Sequence, residues 1–357
     1  MCMNTQIYEN RREKLRALLY GRGLDALLVS HAANRFYLSG FELHDGQCNE
    51  SSGRLLITAQ GKDWLCTDAR FFDAARCIWD KERIFIYKGD AFAQLGAFIK
   101  DTIRGMTGFE AKAVCCYGAQ RLCLRLLAAD GLVESLRMVK SPEEIAALEH
   151  SCMLNHKVME HVPSLLSPSC SEAELAWSIE RFFRENGATE LAFSTIAARG
   201  SNAAIPHYEP SARTLLGGEC PVLIDCGARL DRYCSDQTRT FWLGGTPSPE
   251  FTSTLTLVRD AQETAIRGIR PGMSGAEIYA LAFTFFERHG VEKAFTHGLG
   301  HGIGLETHEE PSLNPRNPKS VPRGAVFTVE PGLYYPEWGG ARWEYMLVME
   351  DDGARIL

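Results

Sequence analysis

Three imidazoles fall within twelve residues of one glycine-rich stretch, His297-Gly-Leu-Gly-His301-Gly-Ile-Gly-Leu-Glu-Thr-His308. Imidazole binds metals and moves protons near neutral pH, so the stretch is a candidate for either chemistry. His297 and His301 are four residues apart, the spacing that puts two zinc ligands on one face of a helix. Glycine occupies positions 298, 300, 302 and 304, however. Each costs roughly 1 kcal/mol in a helix relative to alanine, which all but excludes one. The stretch is therefore expected to be extended or looped, and its three histidines need not share a task.

Four acids stand in settings that make them candidates beside it. Asp225 ends the apolar run Val222-Leu-Ile224, and Asp236 precedes Thr238-Arg-Thr-Phe-Trp242. Glu330 follows Val326-Phe-Thr-Val329 and is itself followed by Pro331-Gly332, while Glu344 interrupts Ala341 to Met349. A single acid at a strand end is commonly solvated. Four converging in a partly buried place would repel one another and raise each other's pKa values. Two divalent cations would cancel that charge. Carboxylates with one imidazole suit Mn2+, and also Co2+ or Zn2+. A two-metal site of this kind lowers the pKa of a bridging water and polarises the carbonyl it attacks.

These groups need elements to position them. The first part of the chain alternates helix and strand. Tyr8 to Tyr20 has helical spacing, Leu24 to Ser30 reads as a buried strand, and Arg54–Thr58 and Trp64–Thr67 flank a turn as a hairpin. Strand Ile84–Tyr87, helix Ala91–Arg104 and strand Ala113–Tyr117 are expected next, completing an α/β domain over 1–134. Ser141-Pro-Glu-Glu144 then carries a capping serine, a proline at the first helical position and a glutamate two residues on, the opening of a long helix. The serine-to-glutamate signature recurs at Ser171–Glu174 and Ser274–Glu277. Residues 171–187 align without gaps on 274–290, sharing Ser, Ala, Glu, a Phe-Phe pair and Gly. The remainder, 135–357, is thus expected to be a domain of two related halves, each with helix followed by strands. The Asp225 and Asp236 hairpin lies in the first half, and the Glu330 and Glu344 hairpin in the second. A cleft between halves is a usual place for a site.

Composition narrows the function classes. The 357 residues are 45% hydrophobic and 23% charged, as in a soluble globular protein of two domains. A net charge of -7 argues against nucleic acid or an anionic membrane as partner. No apolar run reaches the roughly 18 residues of a membrane span. The polar, then amphipathic N-terminus lacks a signal-peptide core, so a cytoplasmic location is expected. Twelve cysteines include no C-x-x-C pair and read as reduced thiols serving as small apolar groups.

Together the motifs resemble the pita-bread metallopeptidases: methionine aminopeptidase, aminopeptidase P (Xaa-Pro aminopeptidase) and prolidase. Those that carry the resemblance are Asn202 to His207, Leu223 to Gly227, Tyr233 to Thr240, His297 to Pro311, Val329 to Gly332 and Gly340 to Glu344. Weaker matches at Gly23–Val29, Asn34–Phe41 and Thr67–Phe72 look like the N-terminal domain of the proline-specific members and of creatinase. Methionine aminopeptidase usually lacks that domain, and creatinase lacks the full metal set. The resemblance implies that Asp225, Asp236, His301, Glu330 and Glu344 bind two metals, Asp236 and Glu344 bridging, with Glu344 also counted among the catalytic groups. It implies that His308 stabilises the tetrahedral intermediate. His207 would contact substrate and assist the leaving amine, and His297 would line the pocket beyond the scissile bond. Glycines beside His301 would let the backbone pass close to the ions. Arg342 is a candidate charge for a substrate carboxylate.

The implied activity is release of the N-terminal residue from small peptides with proline second. The rival within the class is a prolidase confined to Xaa-Pro dipeptides, and outside it a non-catalytic binding protein on the same fold. A homodimer is expected, since the N-terminal domain of the family often caps a partner's site. One departure stands out. The family often has Arg-Ile-Glu-Asp around the last ligand, where this chain has Arg342-Trp-Glu-Tyr345.

Overall fold

The structure is a computed structural model that describes residues 5–45 and 50–357. The chain divides into two compact units, Met1–Arg137 and Met138–Leu357. Among the described residues no helix is long and apolar enough to cross a membrane.

The first unit is α/β. In order it contains α1 (Thr5–Gly21), β1 (Ala26–Val29), α2 (Ala32–Ser39), β2 (Arg54–Thr58), β3 (Trp64–Thr67), α3 (Phe72–Arg76), β4 (Ile84–Ile86), α4 (Ala91–Thr102), β5 (Thr107–Phe109), α5 (Cys116–Leu122), β6 (Leu126–Ala128) and α6 (Leu132–Met138). Its sheet runs β4-β3-β2-β1-β5-β6, with the β2–β3 hairpin antiparallel as its turn residues suggest. One expected strand is absent. Residues 113–117 form a turn and the start of α5, where the Cys115 thiol accepts the Gly118 N–H. The strand that pairs parallel with β1 is Thr107-Gly-Phe109. Its Gly108 leaves no room for a side chain: a Cβ would meet Leu24 at 2.9 Å and Ala129 at 3.0 Å. Three residues with a central glycine carry little strand signal, and the apolar run beside them misleads.

The second unit holds the duplicated architecture. Its first half contains α7 (Pro142–Leu165), α8 (Glu172–Glu185), β7 (Glu190–Leu191), β8 (Ile196–Arg199), β9 (Cys220–Cys226), β10 (Ala228–Leu230), β11 (Tyr233–Cys234) and β12 (Gln237–Leu243). The second contains α9 (Pro249–Gly268), α10 (Gly275–Arg288), β13 (Gly300–Gly302), β14 (Glu309–Leu313), β15 (Val326–Val329), β16 (Gly332–Tyr335), β17 (Gly339–Arg342), β18 (Tyr345–Met349) and β19 (Ala354–Ile356). Each half thus begins with two helices. Capping boxes open α7, α8 and α10 at Ser141, Ser171 and Ser274. The helix α9 was not among the sequence expectations, although Ser248-Pro249-Glu250 repeats Ser141-Pro142-Glu143 and Ser248 caps it. The two halves build separate cores. Val158, Leu175, Ile179, Phe183, Val222 and Ile224 pack in one, and Val258, Ala265, Ile278, Phe286, Phe327 and Leu347 in the other.

The halves diverge at the first residue after the cap. In the first, the Glu172 carboxylate is fully buried and accepts four donors. These are the Arg199 N–H and Asn202 Nδ2, both at 2.9 Å, the Tyr208 hydroxyl at 2.8 Å and the Ser211 N–H at 3.2 Å. The loop that carries His207 is thereby tied to α8. The equivalent position in the second half is Gly275, where a Cβ would come within 2.2 Å of the Ser312 carbonyl oxygen.

Strand β15 stops where Pro331 removes a backbone donor. The segment 341–349, expected as one strand returning beside it, is two strands with different partners. β17 pairs with β16, whereas β18 pairs with β15. The change of partner falls at Trp343-Glu344, and it turns Glu344 inward.

Candidate active site

Alternation along β9 sends Val222, Ile224 and Cys226 into the helical core and leaves Leu223 and Asp225 on the other face. Thr238 of β12 lies opposite Asp225 in register, and Asp236 stands just before that strand. His301 is the middle residue of β13, which pairs with β14 and β15. The Glu330 N–H donates to the Leu299 carbonyl at 2.8 Å, and the Glu344 N–H to the Thr238 carbonyl at 3.2 Å. Strand ends from both halves thus aim their acids at one place. Ligand atoms of Asp236, His301 and Glu344 lie within 4.8 Å of one another. His301 Nε2 is 3.6 Å from Asp236 Oδ2 and 3.4 Å from Glu330 Oε1. Asp225 belongs to the same constellation but turns Oδ2 toward Arg342 Nη2, 2.6 Å away.

The electrostatics describe a place short of positive charge. Asp236 is held well above the usual carboxylate range, first by burial, then by Glu344, Asp225 and Glu330. Glu344, 1% exposed, is raised too, first by burial, then by Glu330 and Asp225. Glu330 is pushed up to about 7, chiefly by burial. Burial lowers His301, so its ring is neutral at pH 7. Its Nδ1 lies 3.1 Å from the Gly302 carbonyl and donates to it, leaving the Nε2 lone pair toward the carboxylates. Once ionised, the carboxylates face that lone pair as acceptor against acceptor at 3.4 and 3.6 Å, so the site must hold either protons or cations. Asp225 Oδ1 and Glu344 Oε1 are buried without a hydrogen-bond partner. Such a donor set fits divalent cations, which satisfy neutral imidazole and carboxylate oxygens together.

A directed chain of hydrogen bonds borders the acids. Arg342 is 3% exposed. Besides Asp225, its Nη1 donates to the Tyr334 hydroxyl at 2.9 Å and its Nε to Thr238 Oγ1 at 3.0 Å. Thr238 Oγ1 in turn donates to Glu344 Oε2 at 2.8 Å. His297 Nδ1 donates to the Gly298 carbonyl at 2.7 Å, so Nε2 accepts from the Tyr334 hydroxyl at 2.8 Å. Burial pushes His297 down to about 4, in keeping with a neutral acceptor. Arg342 lines the cavity below, but its guanidinium nitrogens are already engaged by Asp225, Tyr334 and Thr238.

The glycines beside His301 have a different purpose from the one expected. Because alternate residues point to opposite faces, a Cβ at Gly300 or Gly302 would point away from the imidazole. It would meet the Thr328 carbonyl oxygen at 2.0 Å or the Glu310 carbonyl oxygen at 2.2 Å. Glycine here lets neighbouring strands approach behind the ligand candidate.

A cavity of about 650 Å³ opens over the acids. Asp225, Asp236, His301 and Glu330 form part of its wall, as do His207, His297 and His308. His308, on the open side, has its ring centroid 4.2 Å from that of His301. Burial and then the neighbouring His301 and His207 push it down to about 4. Phe193, Pro206, Tyr208 and Arg316 complete other parts of the wall. Sequence reasoning did not reach Tyr334 or Thr238. The polar alternation Asp236-x-Thr238-x-Thr240 on a strand was a usable signal for Thr238, whereas Tyr334 is recognisable only from long-range contacts.

Comparison with known proteins agrees with this geometry. Residues 146–351 match metallopeptidase family M24, and residues 11–139 match the creatinase/prolidase N-terminal domain. A Bacillus subtilis protein named as an uncharacterized peptidase is 33% identical over 97% of this chain and 96% of its own length. The solved structure of an Xaa-Pro dipeptidase from Bacillus anthracis superposes with a TM-score of 0.90 at 30% identity, covering 98% of this chain and 97% of that one. An X-Pro aminopeptidase from Thermotoga maritima superposes with a TM-score of 0.81 at 30% identity, covering 94% and 95%. The chain therefore belongs to metallopeptidase family M24, with the pita-bread fold and a creatinase/prolidase N-terminal domain.

Proposed function

We propose that this chain hydrolyses the bond between an N-terminal residue and a following proline, releasing the first residue from peptides of three residues or more. The observation that carries the reading is the cluster of Asp236, His301 and Glu344, with Asp225 and Glu330 beside it, at the wall of a cavity of about 650 Å³. That volume falls within the roughly 300–1,000 Å³ of small-ligand sites. In this reading Asp225, Asp236, His301, Glu330 and Glu344 hold two divalent cations, Mn2+ by the hardness of a carboxylate-rich set. When bound, the cations supply an activated water and polarise the scissile carbonyl.

The chain's own groups do the rest. His308, neutral at pH 7, offers an N–H to charge developing on the carbonyl oxygen. His207, exposed on a loop that Glu172 holds, contacts the substrate and the departing nitrogen in this reading. His297, fixed by Tyr334, forms a rigid wall for the residue after the bond. Proline suits such a wall because its φ is already fixed, so selecting its ring costs little entropy. Arg342 acts here mainly by orienting Asp225 and Tyr334.

A second reading, restriction to Xaa-Pro dipeptides, is favoured by one observation. Arg316 lines the cavity and forms no ion pair among the described residues, so it is available to a proline carboxylate. The Bacillus anthracis dipeptidase is a neighbour of matching character. Initial rates on Ala-Pro, Ala-Pro-Ala and Ala-Ala-Ala with Mn2+ decide. Cleavage of Ala-Pro-Ala supports the first reading, and cleavage of Ala-Pro alone the second. Rapid cleavage of Ala-Ala-Ala refutes proline selection.

A further inference from the structure

The departure around Glu344 acquires a purpose in three dimensions. Arg239 of β12 is 7% exposed and forms no salt bridge among the described residues. Its guanidinium carbon instead lies 4.2 Å from the ring centroid of Trp343 and 4.3 Å from that of Tyr345. Arg259 lies over the Trp343 ring as well, at 5.0 Å. Trp343 and Tyr345 are the residues on either side of Glu344. The Arg239 Nη1 donates to the carbonyl of Thr238, at 2.8 Å, and to that of Glu344. The Glu344 N–H donates back to the Thr238 carbonyl. The clamp therefore sits where the strand that follows Asp236 meets the segment that bears Glu344, joining the two halves behind the acids. A second tie lies nearby. Gln262 Nε2 of α9 donates to the carbonyls of Val329, at 2.7 Å, and Trp343, at 2.9 Å, the residues just before Glu330 and Glu344.

We propose that Arg239, gripped between Trp343 and Tyr345, is a positioning residue that fixes the spacing of Asp236 and Glu344 for cation binding. The inference rests on the assignment of those two acids as ligands. A planar guanidinium stacks on two rings while its edge donates to carbonyls, which a lysine ammonium cannot do. Residues behind metal ligands commonly alter affinity by about 10- to 100-fold.

The test uses full-length protein stripped of metal. Its affinity for Mn2+ is measured by calorimetry, and its Tm with and without Mn2+. Tyr345→Leu removes one ring and is expected to weaken Mn2+ binding about three- to thirtyfold, the range of a partly desolvated cation–π contact. The Tm of the metal-free form should change little, while the gain in Tm on adding Mn2+ shrinks. Tyr345→Phe keeps the ring but removes the hydroxyl that also hydrogen-bonds Arg239, so it should weaken binding less than Tyr345→Leu. Arg239→Lys keeps the charge and should weaken binding as Tyr345→Leu does. A lower metal-free Tm with unchanged Mn2+ affinity in both Tyr345→Leu and Arg239→Lys would make the clamp merely structural and overturn the inference. Glu344→Gln separates the two levels. If it binds Mn2+ as the parent does, the ligand assignment itself fails. If it loses Mn2+ while the clamp variants do not, only the clamp's role fails.

Discussion

Cation binding at this centre must expel protons. Glu330 is held at about 7, against an ordinary 4.5, and Asp236 and Glu344 are also raised. A carboxyl group must lose its proton to become a ligand, so affinity depends on pH. For Glu330 alone, the ionised fraction is roughly 0.9 at pH 8 and roughly 0.1 at pH 6. The affinity for Mn2+ should therefore fall about tenfold over that interval, and protons on Asp236 and Glu344 steepen the fall. Calorimetry in two buffers of different ionisation enthalpy counts the protons released. A pH-independent Kd with no dependence on buffer would refute the reasoning. The same shift sets the stability of the metal-free protein. A raised carboxylate binds its proton more tightly in the folded state, so stability falls as pH rises between about 4.5 and about 7. At 1.36 kcal/mol per pKa unit, Glu330, whose side chain is 17% exposed, accounts for roughly 3 kcal/mol of that loss. Glu330→Gln should accordingly raise the metal-free Tm at pH 8 while losing tight Mn2+ binding. A lower Tm at that pH would contradict the assignment.

Two further outcomes are expected. His308→Ala should lower kcat/KM by about 100- to 1,000-fold with metal content unchanged, whereas His301→Ala should lose metal on elemental analysis. Loss of metal from the former would exchange their roles. Tyr334→Phe breaks the path from Arg342 to His297 and leaves a buried acceptor without its donor, a loss of about 1–3 kcal/mol in urea unfolding. It should also raise KM for Ala-Pro-Ala, and unchanged values of both would remove Tyr334 from the site's framework.

What was legible in the sequence was what local chemistry dictates. The capping boxes at Ser141, Ser171 and Ser274 are each contained in four residues, and all three open helices. Asp225 and Glu330 are visible because each ends an apolar run. The helix at Ser248 was equally visible but lacks the glutamate that completes a capping box, since Phe251 stands in its place. Strand β5 was hidden because its identity lies in its partner, β1, rather than in Thr107-Gly-Phe109. The split of 341–349 between two partners was hidden for a similar reason, because apolar character runs through both pieces. Trp343 and Tyr345 stand out in the sequence on either side of Glu344, but the guanidinium that explains their packing belongs to a residue more than a hundred positions earlier.

The exchange of Glu172 for Gly275 bears on how the duplicated halves can evolve. Their helix starts are near copies, SEAE and SGAE, yet the second letter is no longer transferable. Glycine at 172 would strand four donors around the His207 loop, and glutamate at 275 would drive a side chain into the Ser312 carbonyl. Recombination between the repeats, the ordinary means by which duplicated segments stay alike, is thereby penalised at this residue. The likeness of the halves persists in the capping boxes that open α8 and α10. It is broken one residue after the cap, where Glu172 holds a loop of the cavity wall and Gly275 gives room to the Ser312 carbonyl.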